Sequence, residues 1–565
     1  MIQSTGVIAF SGAVDIGLRP GTNRKPRCFQ VDGSKVDAKM QSRIAIVGTG
    51  PTGVYAFKML GEALPGSEFS LFERGGQAGV GMPYSPENAD RFMLANIASI
   101  EIPPVATTYL DWLTSLPEAR LQRYDLTYDD LHDRLFTPRL LLGEYFRDQF
   151  LRLCAIATED GSKVTVSEQT TITDVITEGD SLFLVTQNAS TGTDGRAGPF
   201  DRIILATGHD FPDEDEATRR YFPSPWSGLI QAEIPAVSVA IMGTSLSSID
   251  AAMAVVNQHG RFRAKGDELT FDTDASGLHV TLMSWTGILP EADFYCPLPY
   301  QPLDVMTADA ITKAAESETP LDAMFALLQA EIALADPEYA RKIGLADLTA
   351  DTFDHAYFET RLNQDPFRWA RKNLEEVEKN KADKVTVAWR YALLRMHEKF
   401  EEIVPSLTEP DHERFDTGLK TVFVDNYAAV PSESIRRLLA LRDAGVLSVL
   451  ALGEDYKLDH NSQGTVILAK GQKHKFEVFI DARGQKPMTS KEIPFPSLRA
   501  AVLMAGQETP EIDDSFCLAG VAGYERRVYL AALPWLMHER PFVQGITASA
   551  EMAAILAAAQ PTERG

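Results

Sequence analysis

The residues of this chain best placed to do chemistry are small ones. In RIAIVGTGPTGVYAFKML, residues 43–60, the glycines Gly48, Gly50 and Gly53 follow a largely β-branched run and precede Ala56, Phe57 and Leu60. A strand that turns through three glycines into a helix aims backbone N–H groups and the positive end of the helix dipole at one point. The first glycine permits the tight turn, the second lets the backbone approach a pyrophosphate, and the third lets helix pack on strand. The next strand, FSLFER, ends at Glu73 and Arg74. Glu73 stands 25 residues past Gly48, close to where a carboxylate would hold an adenosine ribose, and Arg74 falls in the same subsite.

A second stretch, VSVAIMGTSLSSIDAAMAVV (237–256), repeats the arrangement, with Ser245 and Ser248 where the later glycines would be. Serine still lets a backbone come close, and its hydroxyl can donate to a phosphate, so Gly243, Ser245 and Ser248 read as a second nucleotide turn. Each turn is followed by a small meander of strand-like runs and a closing apolar strand that ends in glycine. RIILATGH closes the first half at Thr207-Gly208, and FEVFIDARG closes the second at Gly484. Two such folds in one chain imply two nucleotides.

The remaining composition removes other chemistries. No Ser-His-Asp or Cys-His arrangement stands out. Cys28, Cys154, Cys296 and Cys517 form no C-x-x-C pair, so neither a disulfide framework, a metal site nor a redox dithiol is expected. A net charge of −25 disfavours nucleic acid and anionic membrane surfaces as partners. No apolar run approaches the roughly 20 residues of a membrane helix, and GVIAFSGAV has no positive residue ahead of it as a signal peptide would. A reducing cytoplasm is the expected location. With 565 residues the chain exceeds one core, and the pattern predicts an α/β protein of two Rossmann-like folds with a helical insertion. The boundaries read as an extension over 1–39 outside the fold, a first nucleotide fold over 40–235, and a second over 236–300. Helical spacing in LDAMFALLQAEIALA and WRYALLRMHEKFEEIV marks an insertion over 301–420; the second fold resumes over 421–484 and the first over 485–565.

The paired folds, the ATG at their junction and the C-terminal PFVQGITASAEMAAIL resemble the two-dinucleotide-binding flavoproteins. Within these, GVGMPYSPENADRFMLANIASIEIPP (79–104), FTPRLLLGEYF (136–146), ILATGHD (204–210) and YFPSPW (221–226) resemble an FAD/NAD(P)-binding family related to amino-acid N-oxygenases. More distantly they resemble the ornithine and lysine N-hydroxylases. The resemblance covers nearly all of residues 41–558 apart from the middle. It implies FAD on the first fold and NAD(P)H on the second, with Gly48, Gly50, Thr52 and Gly53 at the FAD pyrophosphate. It also implies Asn96 beside the flavin ring, Arg139 toward flavin or substrate anion, and Thr207 and Gly208 in the passage between domains. Gln544, Gly545 and Ile546 would bring helix-terminal amides to the N1–C2 edge of the flavin. The implied reaction is monooxygenation of an amino acid or small amine, O₂ adding to reduced flavin at C4a to give a hydroperoxide that the substrate nitrogen attacks. One departure stands out: Ser284-Trp285-Thr286 ends the second strand of the second fold where relatives carry an arginine for the 2′-phosphate of NADPH. An oxygen-independent NAD(P)H:acceptor reductase and a flavin-binding protein without turnover remain open on these residues, as do the substrate and the oligomeric state.

Overall fold

The computed structural model describes residues 7–9, 42–209, 211–212, 216–265, 268–484, 486–538, 540–543 and 545–560. Its first sheet runs, in spatial order, Val7–Ala9, Lys163–Ser167, Glu68–Phe72, Arg43–Val47, Arg202–Leu205 and Val528–Tyr529. All neighbours are parallel except the first pair, so three residues of the segment expected to lie outside the fold add an antiparallel edge strand. The central strand shows why the sheet is buried on both faces. Ile44 and Ile46 enter the core beneath the helices Pro51–Ala63 and Arg139–Glu159, while Ala45 and Val47 enter a second core formed with the meander. That meander is Thr170–Glu178, Ser181–Asn188 and Thr193–Phe200. The preceding run VTVSE (164–168) pairs in the main sheet, where its alternating Val164 and Val166 cover the helix side.

The second sheet is parallel throughout: Leu447–Ala451, His279–Ser284, Ser238–Met242, Val478–Asp481 and Tyr221–Phe222. Tyr221 and Phe222 pair with Phe479 and Ile480, so chain placed in the first fold by the boundary at 235 already belongs to this sheet. Its own meander, Lys457–Asn461, Gly464–Ala469 and Gln472–Phe476, completes the repeat of layout that the sequence carries. A hairpin over Gly260–Lys265 and Glu268–Thr273 was not legible as such.

Helices from Ala308–Ala315 to Leu419–Tyr427 form the insertion and share a core built from Leu321, Met324, Leu328, Phe353, Phe400 and Phe423. Within it, the helix Pro366–Asp383 turns Phe367, Ala370 and Val377 into the core of the second sheet. A polar seam holds the same junction. Buried Glu291 faces Arg390 at 3.1 Å and accepts from the Trp369 indole at 3.0 Å.

The two nucleotide-type folds meet across one buried ion pair. Arg139, the first residue of the helix Arg139–Glu159, lies 2.9 Å through Nη2 from the Asp250 carboxylate on the helix Leu246–Val256. The two side chains are only 14% and 7% exposed, and the guanidinium also lies 5.7 Å from the Trp226 ring centroid. Burial pushes the Asp250 carboxyl above its ordinary range despite Arg139. Removing one partner of such a pair strands the other. Arg139→Ala should therefore lower stability to urea by about 3–5 kcal/mol, while Arg139→Met combined with Asp250→Leu should recover most of the loss. A loss within about 1 kcal/mol for the single variant would mean the pair behaves as an exposed one.

Candidate functional site

The first glycine turn has the geometry its spacing predicts. Gly48 has φ +91°, and a Cβ there would stand 2.3 Å from the Ala206 carbonyl oxygen. A Cβ on Gly53 would stand 2.0 Å from the Gly48 carbonyl, which is the close helix-on-strand packing asked of the third glycine. Gly50 differs: it caps the helix without a side-chain hydrogen bond, and a Cβ there would meet only Gly81 Cα at 3.3 Å. The turn is therefore fixed by its outer glycines and open at its middle one. With no cap and no acidic residue in the first turn, the helix offers its N–H groups to an anion.

The segment GVGMPY (79–84) supplies a second wall. Gly81 has φ +83°, and a Cβ on it would press to 2.8 Å on the Pro51 ring. Gly79, at φ +90°, would clash with the Phe150 side chain at 2.6 Å. Gly50 and Gly81 thus mark two backbones brought together with no side chain between them, while Gly79 makes room for Phe150.

Glu73 reaches this cradle, yet it also does something the sequence did not show. Its Oε2 accepts from Thr49 N at 3.1 Å and Thr49 Oγ1 at 2.7 Å, and its Oε1 accepts from Gly75 N at 2.8 Å. It braces the turn as well as standing at the ribose position. Arg74 beside it is exposed. Thr52 does not aim its hydroxyl at an anion: its Oγ1 lies 2.9 Å from Ser549 Oγ on the helix Gly545–Ala558. That contact sets the first turns of the two helices side by side. Gly545 is exposed at φ +77°, Ile546 is buried in the first core, and Gln544 lies outside the described residues.

Asn96 lies on the loop that pairs with residues 135–138, where Ala95 N donates to Thr137 O at 2.8 Å and Leu94 bridges Pro138. Its side-chain Oδ1 is buried and accepts no hydrogen bond, so it is not a turn cap through that oxygen. A buried acceptor left unpaired costs about 1–3 kcal/mol, which a bound donor would recover. Arg139, expected at flavin or substrate, is instead committed to Asp250, because the buried carboxylate demands its charge. Thr207 is exposed at the end of Arg202–Leu205, and Gly208 turns the chain at φ +72°.

The second turn is corrected in part. Gly243 has φ +124°, and a Cβ there would lie 2.2 Å from Ser248 Oγ. Ser248 is 1% exposed and packs inward beneath the turn, so it fills the place of the packing glycine rather than facing a phosphate. Ser245 is exposed at the helix cap and keeps a free approach. Beyond the second strand, Trp285 is 64% exposed while its backbone is held, its carbonyl accepting from Gly453 N at 3.0 Å.

Polar contacts also run between the three bodies. Arg134 donates to Cys296 O at 2.5 Å and lies 4.6 Å from the Tyr295 ring, while Tyr300 approaches Glu101 at 3.5 Å. Burial pushes the carboxyls of Glu101 and Asp293 upward. The Asp293 side chain nevertheless remains 36% exposed, 3.6 Å from Lys381. Among the described residues no helix is long and apolar enough to cross a membrane.

Comparison with known proteins agrees with this geometry. The sequence profile of the FAD-NAD(P)-binding family matches residues 45–210, and that of the YdhS-like middle domain matches residues 307–427. The protein YdhS of Escherichia coli (strain K12), described as uncharacterized, is 51% identical over 524 residues, covering 92% of this chain and 97% of its own. Among solved structures, the reduced form of ornithine hydroxylase PvdA from Pseudomonas aeruginosa is 11% identical and superposes with a TM-score of 0.50 over 92% of this chain and 98% of its own. The ornithine N-hydroxylase KtzI of Kutzneria sp. 744 is 13% identical, with a TM-score of 0.49 over the same shares of each chain. The second structure adds nothing to the first beyond the same general outline. Two glycine turns on two parallel sheets and a helical insertion between them, at half identity over nearly the whole length, settle the kinship: the chain belongs to the YdhS-like family of FAD/NAD(P)-binding flavoproteins, with the α/β fold of two-dinucleotide oxidoreductases.

Proposed function

We propose that the protein is an FAD-dependent, NAD(P)H-using monooxygenase that oxygenates the nitrogen of an amino acid or small amine. The observation that carries this reading is the glycine cradle shaped for a dinucleotide, supported by the buried Oδ1 of Asn96, which has no hydrogen-bond partner within the protein. Gly48, Gly50 and Gly53 would hold the FAD pyrophosphate, and Glu73 its ribose side. Asn96 would then accept from an N–H of the flavin or the reduced nicotinamide. FAD, when bound, supplies the two-electron store and the activation of O₂.

The protein's part is to bind, orient and keep water out. The Arg139–Asp250 pair holds the two nucleotide folds in register. Glu101 and Asp293, set where the three bodies meet, supply acidic groups that could face a cationic amine, and burial pushes both carboxyls upward. The shared fold with an ornithine hydroxylase is compatible with this chemistry and by itself supports only the fold.

Gly50→Val should give folded, colourless protein. The valine Cβ would sit tightly, 3.3 Å, against the Gly81 backbone, and its methyl groups would fill the space the pyrophosphate needs. Full FAD content in this variant would move the flavin away from the first turn. Coenzyme preference for NADPH should be weak, since Trp285 and Thr286 stand where a cation would read the 2′-phosphate. A charge-assisted contact of about 1.5–3 kcal/mol would otherwise give ten- to more than hundredfold selectivity, so a hundredfold preference in kcat/KM would show that another cation reads it. Asn96→Ala should keep FAD and most NAD(P)H oxidation but release hydrogen peroxide in place of oxygenated product. Loss of one hydrogen bond to a charged group, about 1.5–3 kcal/mol, shifts that partition tenfold or more, and wild-type coupling in the variant would reduce Asn96 to a loop residue.

A further inference from the structure

The core of the helical insertion contains one aromatic residue from outside it. Phe542, 6% exposed, stands among the rings of His397, Phe415, Phe423 and Tyr427 at centroid distances of 5.6, 5.9, 5.7 and 5.9 Å. These walls come from three helices of the insertion, Ala388–Glu401, Glu409–Thr417 and Leu419–Tyr427. Glu401, at the end of the first of them, lies near the Phe542 backbone amide and the Arg540 charge. The insertion thus grips the C-terminal chain by a ring in a socket, with a carboxylate beside it.

Phe542 is three residues ahead of Gly545, where the helix Gly545–Ala558 begins. Three residues of chain span at most about 10 Å, so the socket and the start of that helix cannot shift independently by much. The same helix is joined to the glycine turn through Ser549 and Thr52 at 2.9 Å. It is therefore held by the first fold along its buried face and, through Phe542, by the insertion at its start.

We propose that Phe542 is a positioning residue: seated in the insertion's aromatic socket, it fixes the first turn of Gly545–Ala558 against the bound flavin. This rests on the reading of the first glycine turn as the FAD site. It gives the insertion a role in the reaction beyond covering the second fold. The amides of that first turn would offset the negative charge of reduced flavin, and a loosened socket would blunt that effect while leaving the pyrophosphate cradle intact.

The test compares FAD-loaded wild type, Phe542→Ala and Phe542→Leu at one fixed redox poise, reading the ratio of reduced to oxidised flavin from the visible band. Phe542→Ala should keep its FAD and lower the ratio about two- to fivefold, the scale of a helix-terminal charge interaction, and Phe542→Leu should restore most of it. Should Phe542→Ala fail to fold, Phe423→Leu thins the socket from the insertion side and should move the ratio in the same direction. A wild-type ratio in whichever FAD-loaded variant is read overturns the proposal. A wild-type protein that binds no FAD overturns the reading of the glycine turn, and the positioning role with it.

Discussion

Everything in this molecule is arranged around two approaches of backbone to backbone. The Gly48 turn lies against the Ala206 carbonyl, and the helix at Gly53 lies against Gly48 itself, at separations no side chain could share. Those contacts fix where Arg43–Val47, Arg202–Leu205 and the helix Pro51–Ala63 end relative to one another. They also bring Gly50 close to Gly81, so that no side chain stands between the helix start and the neighbouring loop. The cost of such closely set, positive-φ glycines is conformational entropy, and it is offset by a sheet whose central strand is buried on both faces.

Three bodies then have to be held at one place with few contacts to spare. Each junction uses a desolvated polar tie or an aromatic plug. Arg139 and Asp250 join the nucleotide folds, Glu291, Arg390 and Trp369 join the insertion to the second fold, and Phe542 joins it to the first. Buried ion pairs add little net stability but penalise every arrangement in which a partner is left alone. That is the property a fixed arrangement of three bodies requires.

Local features were legible in the sequence, and contacts across the chain were not. The strand, three glycines and helix at 43–63 could be read because each element of the turn is specified within a dozen residues. The repeat of layout at 237–256 and the helical spacing at 320–335 and 388–401 were readable for the same reason. The inward turn of Ser248 could not be read, because it depends on how closely Gly243 passes over it. Nor could the partner of Arg139, 111 residues away, or the socket of Phe542, whose walls begin 145 residues earlier. Glu73 shows the middle case: its position followed from spacing, while its bracing of Thr49 and Gly75 depends on the loop's exact path.

The claim at the centre of this account is that electrons from NAD(P)H reach O₂ and are committed to a substrate nitrogen. The most direct measurement follows O₂, NAD(P)H and hydrogen peroxide together while amino acids and small amines are offered to the FAD-loaded protein. The account predicts that at least one of them accelerates NAD(P)H oxidation, with equal consumption of O₂ and little peroxide. Rapid NAD(P)H oxidation that requires an added quinone or protein acceptor, and that no amine couples to O₂, would contradict it.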